Sequence, residues 1–502
     1  MGDAMSLDTR TAGDPTDVSE PAPAPVRGPV TSASYSVTVR LIADVDPASI
    51  GRIATAVGTA GGAVTAIDVV ESRTDHLTVD VTCSAADAAH SQEMVDAMRQ
   101  VPGVEVRKVS DRTFLLHLGG KLEVASKVPL KTRDDLSMAY TPGVARVCLA
   151  LADHPEDVRR LTIKGNTVAV VTDGSAVLGL GDIGPGAALP VMEGKAVLFK
   201  RFADIDAWPI CLDTQDVDEI VRTVELLAPG FGGINLEDIS APRCFEIERR
   251  LRERLDIPVF HDDQHGTAIC ALAALTNALR VVDKQLARVK IVVAGGGAAG
   301  TAIVNLLLAA GATNVLVWDR EGILCPDDER LSPAKRELAE RTNPGCVRGE
   351  LPDALEGADV FIGVSAGNLL AVEDLARMAD RAVVFPMANP TPEVDPVRAR
   401  QYAAVVASGR SDLPNQINNV LAFPGVFRGL LDARATEIDT PMLLAAAASL
   451  AAIVQDDQLN ANYIIPSVFD PAVTTAVAQA VADAARATGA VVELPGRPGL
   501  SD

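Results

Sequence analysis

Two short apolar runs in this chain each end in a pair of acids, and paired acids are what a hard divalent cation requires. The first run is Gly232-Gly233-Ile234-Asn235-Leu236-Glu237-Asp238, and the second is Pro258-Val259-Phe260-His261-Asp262-Asp263. Read as buried parallel strands, both place their acids at the carboxyl end, where open α/β sheets bind ligands. Neighbouring side chains on a regular strand face opposite ways, so Glu237 and Asp238 can meet one ion only where the strand breaks; Ser240-Ala241-Pro242 supplies that break. A ligand set made only of oxygen favours Mg²⁺ or Mn²⁺ over zinc. Acid pairs at such places also serve as helix caps or solvated turns, so spacing alone leaves both readings open. His261 and His265 have the i, i+4 spacing of zinc ligands on a helix. Pro258 and Gly266 instead predict a strand followed by a turn, which leaves both histidines structural.

Other residues have chemistry to offer. Tyr140 precedes Thr141-Pro142-Gly143, a rigid turn with room beside the ring, yet by chemistry alone it could be any packed tyrosine. Lys195 follows Gly194 and opens an apolar helical run; unaided, it reads as a solvated lysine. Val289 to Gly300 is an apolar strand followed by Gly295-Gly296-Gly297-Ala298-Ala299-Gly300, with a helix expected from Ala302 and a second strand, Val315 to Trp318, ending in Asp319. That context makes the glycines a dinucleotide fingerprint. Gly295, Gly297 and Gly300 give the turn and the close approach, the helix N-terminus faces the pyrophosphate, and Asp319 accepts from the ribose hydroxyls. Its carboxylate would repel a 2′-phosphate, which selects NAD, although Arg320 could pair with that phosphate and so keeps NADP open.

The segments NLEDI (235–239) and FHDDQHGTA (260–268) resemble those of malic enzymes, the metal-dependent oxidative decarboxylases of malate. YTPGVA (140–145) matches too, and the resemblance covers about Arg112 to Gly489 with its motifs in family order. It implies malate as substrate, pyruvate and CO₂ as products, and NAD reduction. It further implies Lys195 as general base with a lowered pKa, Tyr140 as the acid that protonates the enolate, and Glu237, Asp238 and Asp263 as metal ligands. Asp262 would orient a ligand or the lysine. Asn389 and Asn419 would hold substrate and nicotinamide ribose. One departure concerns the substrate carboxylate: Asp173-Gly174-Ser175-Ala176 stands where many relatives have a clamping arginine, leaving Lys200, Arg201 or a residue of a partner subunit as candidates. A related hydroxyacid oxidative decarboxylase, or a non-catalytic metabolite sensor, are the rival readings.

These residues need a scaffold, and 502 residues suffice for two or three domains. Hydrophobic content of 48% with only 3% aromatics suits an α/β enzyme rich in Ala, Val and Leu. The net charge of -22 disfavours nucleic acid and anionic membranes as partners. Seven scattered cysteines without a CxxC pair predict neither a disulfide framework nor a zinc knuckle, and fit a reducing cytoplasm. No signal peptide is evident, and the uncharged stretch Ile291 to Trp318 is broken by glycines into strand, turn, helix and strand.

Residues 1 to 33 read as a disordered tail, poor in large apolar side chains. Residues 34 to 111 show strand patterns at Tyr35–Leu41, Val64–Val70, His76–Thr82 and Val104–Val109, with helical patterns between, a β-α-β-β-α-β order. This module resembles an ACT domain, for regulation or dimerisation, and a homodimer or higher homo-oligomer is expected. Residues 112 to 282 are then an α/β malic-enzyme catalytic domain, and 283 to 502 a Rossmann-type domain with C-terminal Ala-rich helices.

Overall fold

The computed structural model describes residues 31–492. The expected tail lies almost wholly outside the described residues, but the first strand already starts at Ser32. The chain divides into two compact units at Gly120/Lys121.

The first unit has strands β1 (Ser32–Asp44), β2 (Ala63–Ser72), β3 (His76–Ala85) and β4 (Val104–Asp111), with helices Ser49–Thr59 and Ala88–Arg99 between them. The strands form one antiparallel sheet in the order β2-β3-β1-β4, so the expected β-α-β-β-α-β order is observed. Alternation is the cause: Val37, Val39 and Leu41 of β1 point into the core with Ile53, Val57 and Met94 from the helices. Asp87 caps the second helix by accepting from the His90 N–H at 2.8 Å.

The second unit holds two sheets. In the first, β5 (Thr167–Thr172), β6 (Asp206–Cys211), β7 (Gly233–Leu236) and β8 (Val259–His261) run parallel in the order β6-β5-β7-β8. In the second, β9 (Lys290–Ala294), β10 (Asn314–Asp319), β11 (Gly322–Ile323), β12 (Val360–Gly363), β13 (Val383–Pro386) and β14 (Val405–Val406) follow the order β11-β10-β9-β12-β13-β14, parallel except for β11. Every residue of β5 and β7 is buried, which is why neither shows the polar alternation of a half-exposed strand.

The helix Asp262–Val281 joins the two sheets. Its small residues, Ala268, Cys270, Ala271, Ala273, Ala274 and Ala278, are buried and let helices Ala298–Ala309 and Thr440–Ala452 pack closely on it. One apolar core runs through it from β5 to β9 and β12.

Three expectations need correction. The strand at 259–261 leads straight into a helix at Asp262 rather than into a turn, because two acids in a first helical turn complement the helix dipole and Gly266 is tolerated inside it. The Rossmann helix likewise begins at Ala298, within the glycine motif, so that its N-terminus opens on the glycine turn. Cys325 and Cys346 form a disulfide across 21 residues, a proximity created by β11 and the helix Pro333–Thr342 and invisible in their spacing. Among the described residues, no helix is long and apolar enough to cross a membrane.

Candidate active site

β7 ends at Leu236 and β8 at His261, so Glu237 and Asp262 emerge side by side at the carboxyl edge of the sheet. The backbone then breaks as the acids require: Asp238 adopts φ +54°. One carboxylate oxygen each from Glu237, Asp238 and Asp263 falls within 4.8 Å of the others. Asp238 Oδ2 is buried and has no hydrogen-bond partner, and Asp263 Oδ2 accepts from the Asp238 N–H at 2.9 Å. Three converging oxygen donors with an unpaired buried oxygen among them fit a hard divalent cation. Burial and mutual repulsion push Asp238 up to about 8, and raise Glu237 and Asp263 for the same first reason. A cation would remove that repulsion.

Lys195 comes from the helix Pro185–Ala203 and is buried. Its Nζ donates to Asp262 Oδ2 at 2.5 Å and to Glu237 Oε1 at 2.9 Å, and sits 4.2 Å over the Phe423 ring. The other Glu237 oxygen accepts from Asn235 Nδ2 at 2.8 Å. Asn419 Nδ2 also donates to Asp262 Oδ2, so one carboxylate oxygen meets both the lysine and the asparagine. The expected lowering of the lysine pKa is not observed. Burial does disfavour the ammonium, but Asp262 and Glu237 outweigh it and hold the pKa above the ordinary lysine value.

Gly266 owes its identity to this cluster. A Cβ there would lie 2.0 Å from Asp262 Oδ1, because the carboxylate folds back over its own helix. Gly266→Ala should therefore displace Asp262 and lower kcat by about 10–100-fold, the usual cost of disturbing an orienting partner. Steady-state kinetics alongside an unchanged circular dichroism spectrum would check it; normal turnover would show that Asp262 need not be held there.

At the edge of the second sheet the fingerprint glycines are explained by contact. Gly295 has φ +122°, and a Cβ on Gly300 would meet Gly295 O at 1.8 Å. Gly297 faces open space, leaving its backbone free to approach a pyrophosphate. Asp319 accepts from the Gly296 N–H at 3.0 Å and from Lys335 Nζ at 2.8 Å. Burial raises its pKa, but Lys335 and the Arg320 and Gly296 N–H groups outweigh this and keep it below the ordinary carboxylate value.

Residues 119–252 match the family described as malic enzyme, N-terminal domain, and residues 264–486 match malic enzyme, NAD binding domain. The chain belongs to the malic enzymes. It is 57% identical to an NAD-dependent malic enzyme of Geobacillus stearothermophilus, over 91% of this chain and 96% of that protein. A bifunctional malic/malolactic enzyme of Bacillus subtilis is 54% identical over 76% of this chain and 94% of its own length. The crystal structure of an NAD-dependent malic enzyme from Thermotoga maritima superposes with a TM-score of 0.72 at 50% identity, covering 74% of this chain and 99% of that one.

Within this malic-enzyme unit, the structure brings together Lys195, Glu237, Asp238, Asp262, Asp263 and Asn419. Asn389 stands in the loop after β13, where the Gly179 backbone packs against its carbonyl; a Cβ on Gly179 would come within 2.6 Å of that oxygen. Gly179 of the glycine-rich loop 178–184 thus lies against the Asn389–Pro390 turn. Tyr140 is not brought in: its side chain is exposed, and its hydroxyl makes no hydrogen bond among the described residues. Of the proposed carboxylate clamps, Lys200 is committed to Asp204 and Asp206, and Arg201 is exposed. His265 pairs with Glu248 at 2.6 Å while His261, in extended backbone ahead of the helix, is buried, and desolvation first lowers its pKa; neither histidine joins the cluster of candidate metal ligands.

Sequence reasoning missed several contributors to the site. Lys335 salt-bridges both Asp319 and Glu321. Arg243 pairs with buried Asp173 at 3.1 Å, and Asp173 also accepts from Ser175, which in turn accepts from the Ser240 N–H, a knot that fixes the loop after Asp238. Glu393, fully buried, accepts from the Ser365 and Ala388 N–H groups and so ties the ends of β12 and β13 together below the cofactor edge. None of the three lies in a recognisable spacing pattern; each partner is remote in sequence or hidden in a loop.

Proposed function

We propose that this chain oxidatively decarboxylates malate to pyruvate and CO₂ with reduction of NAD. The observation that carries the reading is Lys195, buried between Asp262 and Glu237 at strand ends that also gather Asp238 and Asp263. Glu237, Asp238 and Asp263 would hold Mg²⁺ or Mn²⁺, which when bound polarises the C2 oxygen and takes up the negative charge left by decarboxylation. The Gly295–Gly300 turn would hold NAD, whose nicotinamide would supply the acceptor for the C2 hydride. Lys195 would accept the proton of the C2 hydroxyl once its own ammonium proton has left, a loss eased if a cation draws off Glu237, one of the two carboxylates that hold that pKa up, while Asp262 fixes the direction of the amine. Asn419 and Asn389 offer amides to substrate and nicotinamide ribose. Tyr140 gives the proton that completes the methyl group of pyruvate.

The test is cofactor reduction by the purified protein with malate, isocitrate, tartrate and 3-isopropylmalate in turn. Preference for another acid would make it a related decarboxylase, and no reduction with any would favour a sensor.

NAD preference would rest on Asp319, whose carboxylate stands at the end of β10 and pairs with Lys335, itself paired with Glu321. Asp319→Ser removes the repulsion of a 2′-phosphate and frees Lys335 to pair with it. The kcat/KM ratio should shift towards NADP by at least about tenfold, roughly 1.4 kcal/mol. An unchanged ratio would place the selection elsewhere.

The N-terminal unit reads as an ACT-like module that pairs subunits or senses a ligand, in a homodimer or higher homo-oligomer. Every residue assigned a chemical role lies beyond it. Removing residues 1 to 120 should leave malate oxidation within about threefold and change the sedimentation behaviour or the response to effectors. An insoluble remainder would mean that the module is part of the core assembly.

A further inference from the structure

Cys325 and Cys346 stand 21 residues apart in sequence, yet their Cα atoms are 4.7 Å apart. More than the bond between their sulfurs holds them there. Asn343, itself buried, donates from Nδ2 to Leu324 O at 2.9 Å and to Val347 O at 2.8 Å, and its Oδ1 accepts from the Val347 N–H at 2.9 Å. One side chain thus ties the residue before Cys325 to the residue after Cys346. Leu324 is fixed in turn by β10, its N–H donating to Val317 O at 2.8 Å, and the Cys346 N–H donates to Asn343 O at 3.0 Å. Two thiols made by opening the bond would stay face to face.

A third donor stands beside them. The turn after Cys325, closed by the Asp328 N–H on Cys325 O at 3.0 Å, folds Asp327 back, and one ligand atom each from Cys325, Asp327 and Cys346 lies within 4.8 Å of the others. Glu237, Asp238 and Asp263 converge in the same way, but the donor chemistry differs. The strand-end acids offer oxygen alone and suit a hard cation, whereas two sulfurs and one oxygen suit a softer one, Zn²⁺ above all. Zn–S bonds of about 2.3 Å set tetrahedral sulfurs roughly 3.8 Å apart, which rotation of the two side chains away from the bonded state can reach. Cys325 is buried, Cys346 half-buried and Asp327 exposed, so the set opens on one side to solvent, where water completes four-coordination.

We propose that Cys325, Cys346 and Asp327 form a second metal site, filled by Zn²⁺ when the disulfide is reduced. A dithiol reductant supplies two electrons and two protons and itself becomes a disulfide, while the Cys325–Cys346 bond opens to two thiols. Zn²⁺ then displaces both thiol protons to water and is held by two thiolates and the Asp327 carboxylate. The bond and the ion are alternative clasps on one segment. That segment carries the helix Pro333–Thr342, whose Lys335 pairs with Asp319 at 2.8 Å, so the ion steadies Lys335 and takes no part in the chemistry at Lys195.

Co²⁺ tests the site, because thiolate ligands give it an intense near-ultraviolet charge-transfer absorption that oxygen ligands do not. The full-length protein is reduced with dithiothreitol, freed of it without oxygen, given excess Mg²⁺ to occupy the strand-end acids, and titrated with Co²⁺. The absorption should saturate at one equivalent and vanish when Zn²⁺ displaces Co²⁺, and the disulfide form should show none. Cys346→Ser should weaken Co²⁺ binding by at least about 10²-fold, and Asp327→Asn by about tenfold with the absorption retained. No absorption in the reduced protein overturns the proposal; so does one that survives in Cys346→Ser, which would place the thiolates among the other cysteines. A bond that dithiothreitol leaves closed in the folded protein, counted by alkylation and mass spectrometry, overturns it as well. Should Cys346→Ser not fold, alkylation of the reduced wild type decides: Zn²⁺ should protect Cys325 and Cys346 together, and labelling of both that Zn²⁺ leaves unchanged ends the proposal.

Discussion

Lys195→Ala should lower kcat for malate oxidation by about 10²–10⁴-fold, the span that a positioned proton-transfer group contributes. It should also destabilise the protein, because the ammonium is the counter-charge of two buried carboxylates, 2.5 Å from Asp262 and 2.9 Å from Glu237. Breaking a buried pair by removing one partner costs about 3–5 kcal/mol. The two effects separate experimentally: kcat at a temperature well below the melting point reports the chemistry, and the melting temperature reports the pair. Lys195→Arg helps here, since it restores charge without a titratable amine and should recover part of the stability with little of the activity. Activity within tenfold of wild type for Lys195→Ala would remove the lysine from the proton transfer.

Excess chelator should abolish turnover, and Mg²⁺ or Mn²⁺ should restore it. The ligand set predicts more than that. Asp263→Asn should raise the metal concentration for half activity by more than about 10²-fold, whereas Asp262→Asn, at an orienting position, should stay within about 10–100-fold. A thermal shift gives a readout independent of catalysis. Metal at a hundred times its Kd stabilises the native state by about 2.7 kcal/mol, and relief of the repulsion that pushes Asp238 up to about 8 enters through a lower Kd. That shift should vanish in Asp263→Asn. Full activity in chelator, or an unchanged shift in the variant, would end the case for a cation held by Glu237, Asp238 and Asp263.

Composition, periodicity and short motifs were enough to determine the α/β class, the order of elements in the N-terminal unit, the glycine turn before Ala298 and the position of the acids at strand ends. These are local properties: a buried parallel strand must be apolar throughout, its acids must fall at its end, and a pyrophosphate turn needs glycines in adjacent positions. Asp238 illustrates the limit of that locality. The sequence required a break after Leu236, and the backbone makes it at φ +54°, but only the pairing of β7 with β8 brings Asp263 to meet it. What depended on distant partners was decided by the tertiary structure. The pKa of Lys195 goes up because Glu237 and Asp262, 42 and 67 residues away, reach its amine through a buried path and outweigh desolvation. Gly266 is glycine because of where Asp262 folds, Lys335 meets Asp319 because a helix crosses the end of β10, and Cys325 finds Cys346 across a loop. The exposure of Tyr140 could not be read from YTPGVA at all, since a motif specifies a turn and a side chain but not the body against which they are placed.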